Sequence, residues 1–275
     1  MSEGLGLHIA PDHLATIERF EQTPISFRLT ETNSLPPQWM SDIPCRSQGS
    51  FSCCVGGGLS GCFEHRQFVE AGAFIRHSMW QAYIESQRHC GMLGSDNGAA
   101  LAGALKAAGI AGVAINDLCP MPSGYTTKIP QAAIDDAAKH KHLGDIAYDA
   151  RNWDRTIDWI TNKDPVLFGG IWTTTLGEMN EEDWIIKPRH LNGTKRGYHC
   201  TYLCGWTTIG GIIVPLMRNT HGDGFGKKGV VAVSREAWDA YMRDPYTVCL
   251  AFGDIMEREP KRRDWATESR SGDSC

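Results

Sequence analysis

A glycine-rich turn runs into a predicted helix at two adjacent cysteines, Cys53 and Cys54, in the stretch RSQGSFSCCVGGG. The N-terminus of a helix presents backbone N–H groups without intrahelical partners and a partial positive charge. Both features favour a thiolate over a thiol, so a cysteine at this junction suits nucleophilic chemistry. Gln48 lies six residues before Cys54, where a tight turn would bring its amide beside the sulfur to hold an oxyanion. Taken alone, the stretch is more typical of a buried cysteine at a helix start.

A histidine and an asparagine that suit such a thiol occur in two apolar runs nearer the C-terminus. His199 lies in GYHCTYLCGW. Asn219 closes the next apolar run, IIVPLMR, and is followed by the glycine-rich THGDGFG. Two such runs with a hairpin-length gap predict adjacent antiparallel strands, which would bring both side chains to one rim of a sheet. An imidazole has a pKa near neutrality, and an amide oxygen can fix its tautomer. A lone histidine in a strand is more often a core residue, so only the two stretches together indicate thiol–imidazole chemistry.

In this order and separation, the stretches resemble the papain-like cysteine peptidases over roughly residues 35–254. The resemblance implies a triad of Cys54, His199 and Asn219, with Gln48 in the oxyanion hole. It implies an α+β, two-lobed papain-like fold, with a helical N-terminal lobe, an antiparallel β-barrel-like C-terminal lobe and the active-site cleft between them. The expected reaction is hydrolysis of peptide bonds through a thioester, with a peptide or protein as the substrate.

The resemblance also implies which residues contact the substrate. Asp96-Asn97-Gly98 resembles the loop whose backbone holds the second substrate residue upstream of the cut, so Asn97 and Gly98 are candidates. Cys200, directly after the histidine, is expected to line the pocket for that residue. Because Cys200 is small and apolar, we expect the pocket to prefer an aliphatic or aromatic side chain. The spacing from Gln48 selects Cys54 over Cys53 as the nucleophile.

Three positions depart from the family. Val55 stands where an aromatic residue usually follows the nucleophile, and Phe51 stands where the turn usually has a disulfide cysteine. His221 replaces the tryptophan whose indole covers the bond between the asparagine and the catalytic histidine. Three consequences of this replacement are open: a looser contact between these two residues, cover by Trp206 instead, or a hydrogen bond from His221 itself into the triad.

The pattern of apolar residues and breakers predicts helices first and strands afterwards, which favours an α+β fold. The predicted helices are 11–22, 54–70, 78–89, 98–108, 129–142 and 153–161. The predicted strands are 165–172, 199–206, 209–218 and 229–233.

The same pattern predicts the domain organisation. We expect an N-terminal extension at 1–34, a peptidase domain at 35–254 and a charged, mobile tail at 255–275. The helical lobe is expected at about 45–125 and the β lobe at about 126–254. Fewer than fifty residues precede Gln48, which leaves no room for a long helical propeptide, although a short segment that shields the cleft remains an open alternative.

The composition is that of an ordinary globular protein: 275 residues, 41% hydrophobic and 21% charged. A net charge of −5 gives no reason to expect nucleic acid as a partner. No apolar run approaches the roughly 18 residues of a membrane span, and no signal peptide is visible. We therefore expect no membrane partner and a cytoplasmic or virion-associated protein. The ten cysteines are expected to be mostly reduced and buried, with no metal and no cofactor.

A second hypothesis comes from a different class of function. The chain would keep the fold as a binding or structural protein, for example a viral particle component, with little or no peptidase activity. The presence of Cys54, His199, Asn219 and Gln48 together favours the enzyme.

Overall fold

The computed structural model describes residues 5–9, 45–71, 74–142, 148–149, 151–161 and 164–251. Two predicted segments lie outside these residues: the helix at 11–22 and the charged tail at 255–275.

Helices make up most of the regular structure before residue 142. They are α1 Cys54–Ala71, α2 Met79–His89, α3 Leu101–Ile110, a 3-10 turn at Asn116–Leu118, and α4 Gln131–Ala137. Ser78 caps α2 by accepting the N–H of Gln81. The predicted helix at 129–142 begins after Pro130 as expected but ends earlier, because the carbonyl of His140 accepts the N–H of Val113 instead of continuing the helix. None of the described helices is long and apolar enough to span a bilayer.

Strands dominate the remainder of the chain. The elements are β1 Tyr148–Asp149, α5 Trp153–Thr161, β2 Val166–Thr173, α6 Thr174–Gly177, β3 Ile185–Ile186, α7 Pro188–Leu191, β4 Lys195–Ile209, β5 Ile212–Arg218, β6 Val230–Val233, α8 Arg235–Met242 and β7 Val248–Ala251. They form a seven-stranded sheet in the order β1-β7-β2-β4-β5-β6-β3, in which β3 and β6 pair in parallel and the other pairs are antiparallel. The chain therefore has a helical first part and an antiparallel-rich sheet in its second part.

The β4–β5 hairpin is the part of the sheet on which the site depends. Gly210 and Gly211 form its two-residue turn with φ of 59° and 82°, the left-handed pair that a type I′ hairpin requires. Register runs from Ile209 opposite Ile212 to Tyr202 opposite Arg218. The predicted adjacency of the strands that carry His199 and Asn219 is confirmed.

The strand β7 lies between β1 and β2, with Cys249 opposite Phe168. Its sequence, VCLA, is buried throughout and has no alternation of polar and apolar residues. Such a short apolar run does not distinguish a strand from a buried helical segment, so sequence pattern alone gave no strand there.

Helix α4 packs on the helical part of the molecule although the β lobe was expected to begin near residue 126. A Cβ on Gly112 would lie 1.9 Å from the carbonyl oxygen of Ala137, and Asp136 accepts the N–H of Ile115 at 3.0 Å. These contacts attach α4 to the helical part of the chain.

Glycines on α1 let this helix approach its neighbours closely. A Cβ on Gly56 would lie 2.3 Å from the carbonyl oxygen of Met79 in α2. On the other side, a Cβ on Gly58 would lie 2.8 Å from the Cys200 sulfur in β4. Each glycine costs about 1 kcal/mol relative to alanine in an isolated helix, so tight packing on both sides explains their presence.

This packing predicts that Gly56→Ala is destabilising, because the added methyl group meets backbone atoms of α2 that cannot rotate away. We expect a loss of about 1–3 kcal/mol in the free energy of unfolding, measured from the urea midpoint at constant m-value. Gly109→Ala in α3 is the matched control, since a Cβ there has no heavy atom within 4 Å. It should be neutral or slightly stabilising. Equal midpoints for Gly56→Ala and the wild type would contradict the packing argument.

Candidate active site

Cys54 is the first residue of α1, directly after the turn that was predicted to lead into a helix. The first intrahelical bond runs from Gly57 N to Cys53 O at 3.0 Å, so the N–H groups of the first turn point out of the helix end. Cys53 and Cys54 are free thiols with no exposed surface. The helix start therefore places the Cys54 sulfur beside backbone N–H groups that have no partner within α1.

Burial determines the charge of the thiol in this state. It raises the pKa of Cys54 to about 11, while backbone N–H groups of Cys200 and Gly6 at the sulfur lower it. Cys200 follows His199 in β4, so this contact places the sulfur next to the strand that carries the imidazole. No hydrogen bond joins Cys54 to His199 among the described residues. The sulfur is a neutral thiol in a dry cleft.

His199 lies on β4 opposite Gly170 and is almost completely buried. Its Nε2 lies 2.7 Å from Asn219 Oδ1, and the same oxygen accepts the N–H of Thr220 at 2.7 Å. Because an amide oxygen only accepts, Nε2 carries the hydrogen and Nδ1 of the neutral ring carries a lone pair. Within the described part of the chain, Nδ1 is buried and has no hydrogen-bond partner. The imidazole is thus oriented, with its basic nitrogen unengaged.

Charge on His199 is disfavoured in this state. Burial lowers the pKa of the imidazole to about 3, His221 lowers it further, and the hydrogen bond to Asn219 opposes both. The resting pair is therefore a neutral thiol and a neutral imidazole. A thiolate–imidazolium pair needs the cleft to become wetter or the two charges to form together.

Gln48 is buried at the base of the same site and is tied to the residue after Asn219. Its backbone N–H donates to Thr220 O at 2.8 Å, and the Thr220 hydroxyl donates to Gln48 Oε1 at 2.5 Å. The amide NH2 group has two hydrogens, and Nε2 donates to Phe51 O at 2.8 Å. Thr220 therefore fixes which end of the Gln48 amide is the donor. Sequence reasoning missed Thr220, because a threonine in a turn has no distinctive spacing.

An ion pair attaches the Gln48 segment to α1. The Arg46 guanidinium bonds to Glu64, and its Nη1 also donates to Ser60 Oγ at 2.6 Å. Glu64 in turn accepts the N–H of His77 at 2.9 Å. Arg46 thus holds the segment that precedes Cys54 against the helix that begins at Cys54.

Trp172 covers the imidazole. Its ring centroid lies 4.6 Å from that of His199 and 5.2 Å from that of His221, and the indole is 2% exposed. Trp206, one of the alternatives for this cover, lies opposite Pro215 and seven residues along β4 from His199. At about 3.3 Å per residue that is more than 20 Å away, so this alternative is wrong. Trp172 was missed because β2 is a neighbouring strand that is distant in sequence.

The three candidate substrate contacts differ in their burial and in their neighbours. Asn97 is exposed, and its Nδ2 donates to Ser95 Oγ at 2.7 Å. Gly98 is buried with φ of 86°, and its carbonyl accepts Gln87 Nε2 at 2.8 Å. Cys200 lies opposite Gly169 in the sheet, and its sulfur packs on α1. The side chain of Asn97 is therefore exposed, while Gly98 is buried against Gly6.

Residues 5–9 of the chain itself occupy this cleft. Leu7 forms a parallel bridge with Ala99: Ala99 N–H donates to Gly6 O at 2.8 Å, and His8 N–H donates to Ala99 O at 2.9 Å. A Cβ on Gly6 would lie 1.6 Å from Ser52 O, and a Cβ on Gly98 would lie 2.1 Å from Gly6 O. Glycine is therefore required on both sides of the contact. Ala99, one residue beyond the predicted pair, makes the backbone bonds.

Leu7 of this segment fills an apolar pocket near Cys54. A Cβ on Gly169 would lie 2.8 Å from Leu7 Cδ2 and 2.7 Å from Leu101 Cδ1, and Leu7 is 7% exposed. Leu5 lies on the other side of Cys54, 3.5 Å from a Cβ built on Gly197. The segment thus passes from the His199 side of the cleft, over the sulfur, to the pocket at Ala99.

The described residues contain no cluster of three or more histidine, cysteine, aspartate or glutamate side chains that could hold a metal ion.

No protein-family profile and no curated protein matches the sequence. Solved structures do match the fold. Xylellain, a cysteine protease from Xylella fastidiosa, superposes with a TM-score of 0.67 at 14% identity, over 92% of this chain and 98% of that one. Procathepsin B S9 from Trypanosoma congolense gives 0.66 at 15% identity, over 90% and 86% of the two chains. The Carica candamarcensis cysteine protease CMS1MS2, in complex with E-64, gives 0.58 at 15% identity, over 79% and 96%. The chain therefore has the papain-like α+β fold.

Proposed function

We propose that this protein is a cysteine-type peptidase in which Cys54 is the nucleophile, His199 the base and Asn219 the residue that orients the base. The observation that carries the proposal is the state of His199: Nε2 is held by Asn219 Oδ1 at 2.7 Å, and Nδ1 is buried without a hydrogen-bond partner among the described residues. An oriented imidazole with an unengaged basic nitrogen, on the strand that touches the Cys54 sulfur, suits proton transfer from a thiol.

In the proposed reaction, the thiol proton moves to His199 Nδ1 and the sulfur attacks the carbonyl carbon of the scissile bond. The resulting imidazolium gives this proton to the leaving amine nitrogen as the C–N bond breaks, which leaves a thioester on Cys54. Water then attacks the thioester, gives a proton to His199 and releases the carboxylic acid, and the thiol is restored. The substrate is a peptide or protein.

The oxyanion of each tetrahedral intermediate is proposed to bind the N–H of Cys54 and the amide NH2 group of Gln48. The Thr220 hydroxyl supports this role, because its bond to Oε1 makes Nε2 the donor end of the amide. Such preorganised donors stabilise charge that develops only in the transition state.

Residues 5–9 are proposed to inhibit the enzyme in this state. The Gly6 carbonyl bonds to Ala99 N–H, so its oxygen points at Ala99 and not at the Gln48 amide. The peptide bond between Gly6 and Leu7 has its nitrogen on Leu7, on the side away from His199. A chain in this direction presents neither an oxyanion nor a leaving group to the catalytic groups. It blocks the cleft without being cut.

The pocket occupied by Leu7 is proposed to bind the second substrate residue upstream of the cut. Its lining by Leu101 and by the backbone at Gly169, and the fit of a leucine side chain, support a preference for aliphatic side chains. Cys200 lies in register with Gly169 at the side of this pocket.

The first prediction concerns the nucleophile. Cys54→Ala should abolish hydrolysis of peptide substrates and labelling by a thiol-directed electrophilic peptide, whereas Cys53→Ala should keep most of both. Successive residues at a helix start point about 100° apart, so only one sulfur can face His199. Kinetics and mass spectrometry of the labelled peptide measure the outcome. Activity that survives Cys54→Ala but not Cys53→Ala would place the nucleophile one residue earlier.

The second prediction concerns the oxyanion. Gln48→Ala should lower kcat by about 100-fold or more with a much smaller change in KM, because the lost contact strengthens only in the transition state. Gln81→Ala is the matched control: this glutamine is 1% exposed, and its Nε2 donates to Gly112 O at 3.2 Å in the helical part. It should lower stability without a selective loss of kcat. A Gln48 variant with normal kcat and weakened binding would remove this residue from the catalytic machinery.

The third prediction concerns the blocking segment. Gly6→Val should force residues 5–9 out of the cleft, since even a Cβ there would lie 1.6 Å from Ser52 O. We expect kcat/KM and the labelling rate of Cys54 to rise at least about tenfold. A rise of this size needs the closed state to be destabilised by only about 1.4 kcal/mol. Gly124→Val, at a position with no heavy atom within 4 Å of a Cβ, is the control and should behave as the wild type.

The same variant separates the two classes of function. If Gly6→Val exposes Cys54 to small electrophiles yet shows no turnover on peptide libraries, the fold serves binding or structure and the peptidase proposal is wrong.

A further inference from the structure

A second imidazole lies inside the proposed site. The ring centroid of His221 is 4.7 Å from that of His199, with 35° between the ring planes. Trp172 meets His221 edge-on at 5.2 Å, and Phe225 does so at 5.8 Å. His221 is partly buried, and its backbone bridges to Ser47 beside Gln48. Two imidazoles therefore share one aromatic enclosure.

Hydrogen bonding links His221 to the residue that orients the base. Asn219 Oδ1 is taken by Thr220 N–H and by His199 Nε2, so the other end of the amide carries the hydrogens. That Nδ2 lies 3.5 Å from His221 Nδ1. An N–H group is attracted to this ring nitrogen only while the nitrogen has a lone pair. If Nδ1 were protonated, two donors would face each other and Asn219 would be pushed from its position.

We propose that His221 is a positioning residue of the active site, which supports Asn219 while neutral and, when protonated, prevents His199 from holding the proton of Cys54. This inference rests on the proposed peptidase function, and it adds a second titrating group to that site.

Side chains from β4, β2 and the turn after β5 face the His221 ring. β4 contributes His199, β2 contributes Trp172, and the turn after β5 contributes Asn219 and Phe225. Of these four side chains, His199 is the one that can take up a proton. The segment at 45–48 contributes the Ser47 backbone.

Two charged side chains flank this stretch of chain. Asp223 accepts the N–H of Cys45 at 2.8 Å, and Arg218 interacts with Tyr202. Because the His199 and His221 rings are in contact, a positive charge on His221 faces a like charge whenever His199 becomes an imidazolium. Like charges at this distance in a dry site disfavour each other.

This arrangement has a consequence for the acid limb of the reaction. As pH falls, uptake of one proton removes the active thiolate–imidazolium form in two ways. It returns the thiolate to a thiol while His199 stays charged, or it gives a thiol with a charged His221 and a neutral His199. The second way exists only with His221, so the acid limb should lie at higher pH when His221 is present. At alkaline pH His221 is neutral, so this limb should not depend on it.

The test uses the full chain with Gly6→Val, alone and combined with His221→Phe or His221→Gln. Phenylalanine keeps a ring in the enclosure and glutamine keeps a polar side chain, so at least one folded, non-titrating variant is expected. The rate of Cys54 alkylation by iodoacetamide is measured against pH, with mass spectrometry to assign the site. kcat/KM for a peptide substrate is measured in parallel. His89→Phe, at the end of α2, controls for loss of a histidine elsewhere.

We expect the midpoint of the acid limb to fall by about 1 pH unit or more in both variants, with a slope of about 1 in all three proteins. The His89→Phe profile should match that of the parent. Alkylation profiles that are unchanged by both His221 substitutions would overturn the inference. Because alkylation needs no turnover, a shifted alkylation profile without hydrolysis would uphold the role of His221 and reject the peptidase.

Discussion

The close approach of α1 to the sheet is the constraint on which the site depends. Cys54 comes from the helical part, whereas His199 and Asn219 come from the β4–β5 hairpin. A Cβ on Gly57 would lie 2.4 Å from Thr220 Cγ2, so the helix reaches the sheet only because it has glycine there. A bulkier residue at this contact would move the sulfur and disturb Thr220 together. A small displacement of this kind costs much in catalysis, since reacting groups must be held within a fraction of an ångström.

The sequence predicted the parts of the site that depend on local pattern. A glycine-rich turn before a helix placed Cys54 correctly, and two apolar runs with a tight turn placed His199 beside Asn219. The missed residues are set by packing between distant segments. Trp172 reaches His199 because β2 and β4 are neighbours, and Thr220 matters because Gln48 folds onto it. Neither contact has a periodic or compositional signal, since both depend on which strands and turns meet in three dimensions.

Short elements show the same limit in the fold. The long helices α1 and α2 have capping or glycine signals and were predicted nearly in full. The four-residue strand β7 was not, although it completes the sheet beside β2. Its register comes from backbone pairing with a remote strand, and four apolar residues in a row are compatible with either type of element.

Exclusion of water explains why Cys54 and His199 are uncharged in the closed state. With residues 5–9 in the cleft, burial favours the neutral forms of both Cys54 and His199. Desolvation penalises separate charges more than it penalises a pair formed at contact. Release of the segment would therefore do more than clear space for a substrate. It would readmit water and allow the thiolate and imidazolium to form, so the proposal links occupancy of the cleft to the charge state of the sulfur.

The most direct test of the central claim is the pH dependence of Cys54 alkylation in Gly6→Val, compared with the same protein carrying His199→Ala. If the imidazole activates the sulfur, Cys54 with His199 should react rapidly at neutral pH. Without His199, its rate should follow the titration of an ordinary thiol near pH 8.5. Identical profiles with and without His199, both rising only near this value, would contradict a Cys54–His199 catalytic pair.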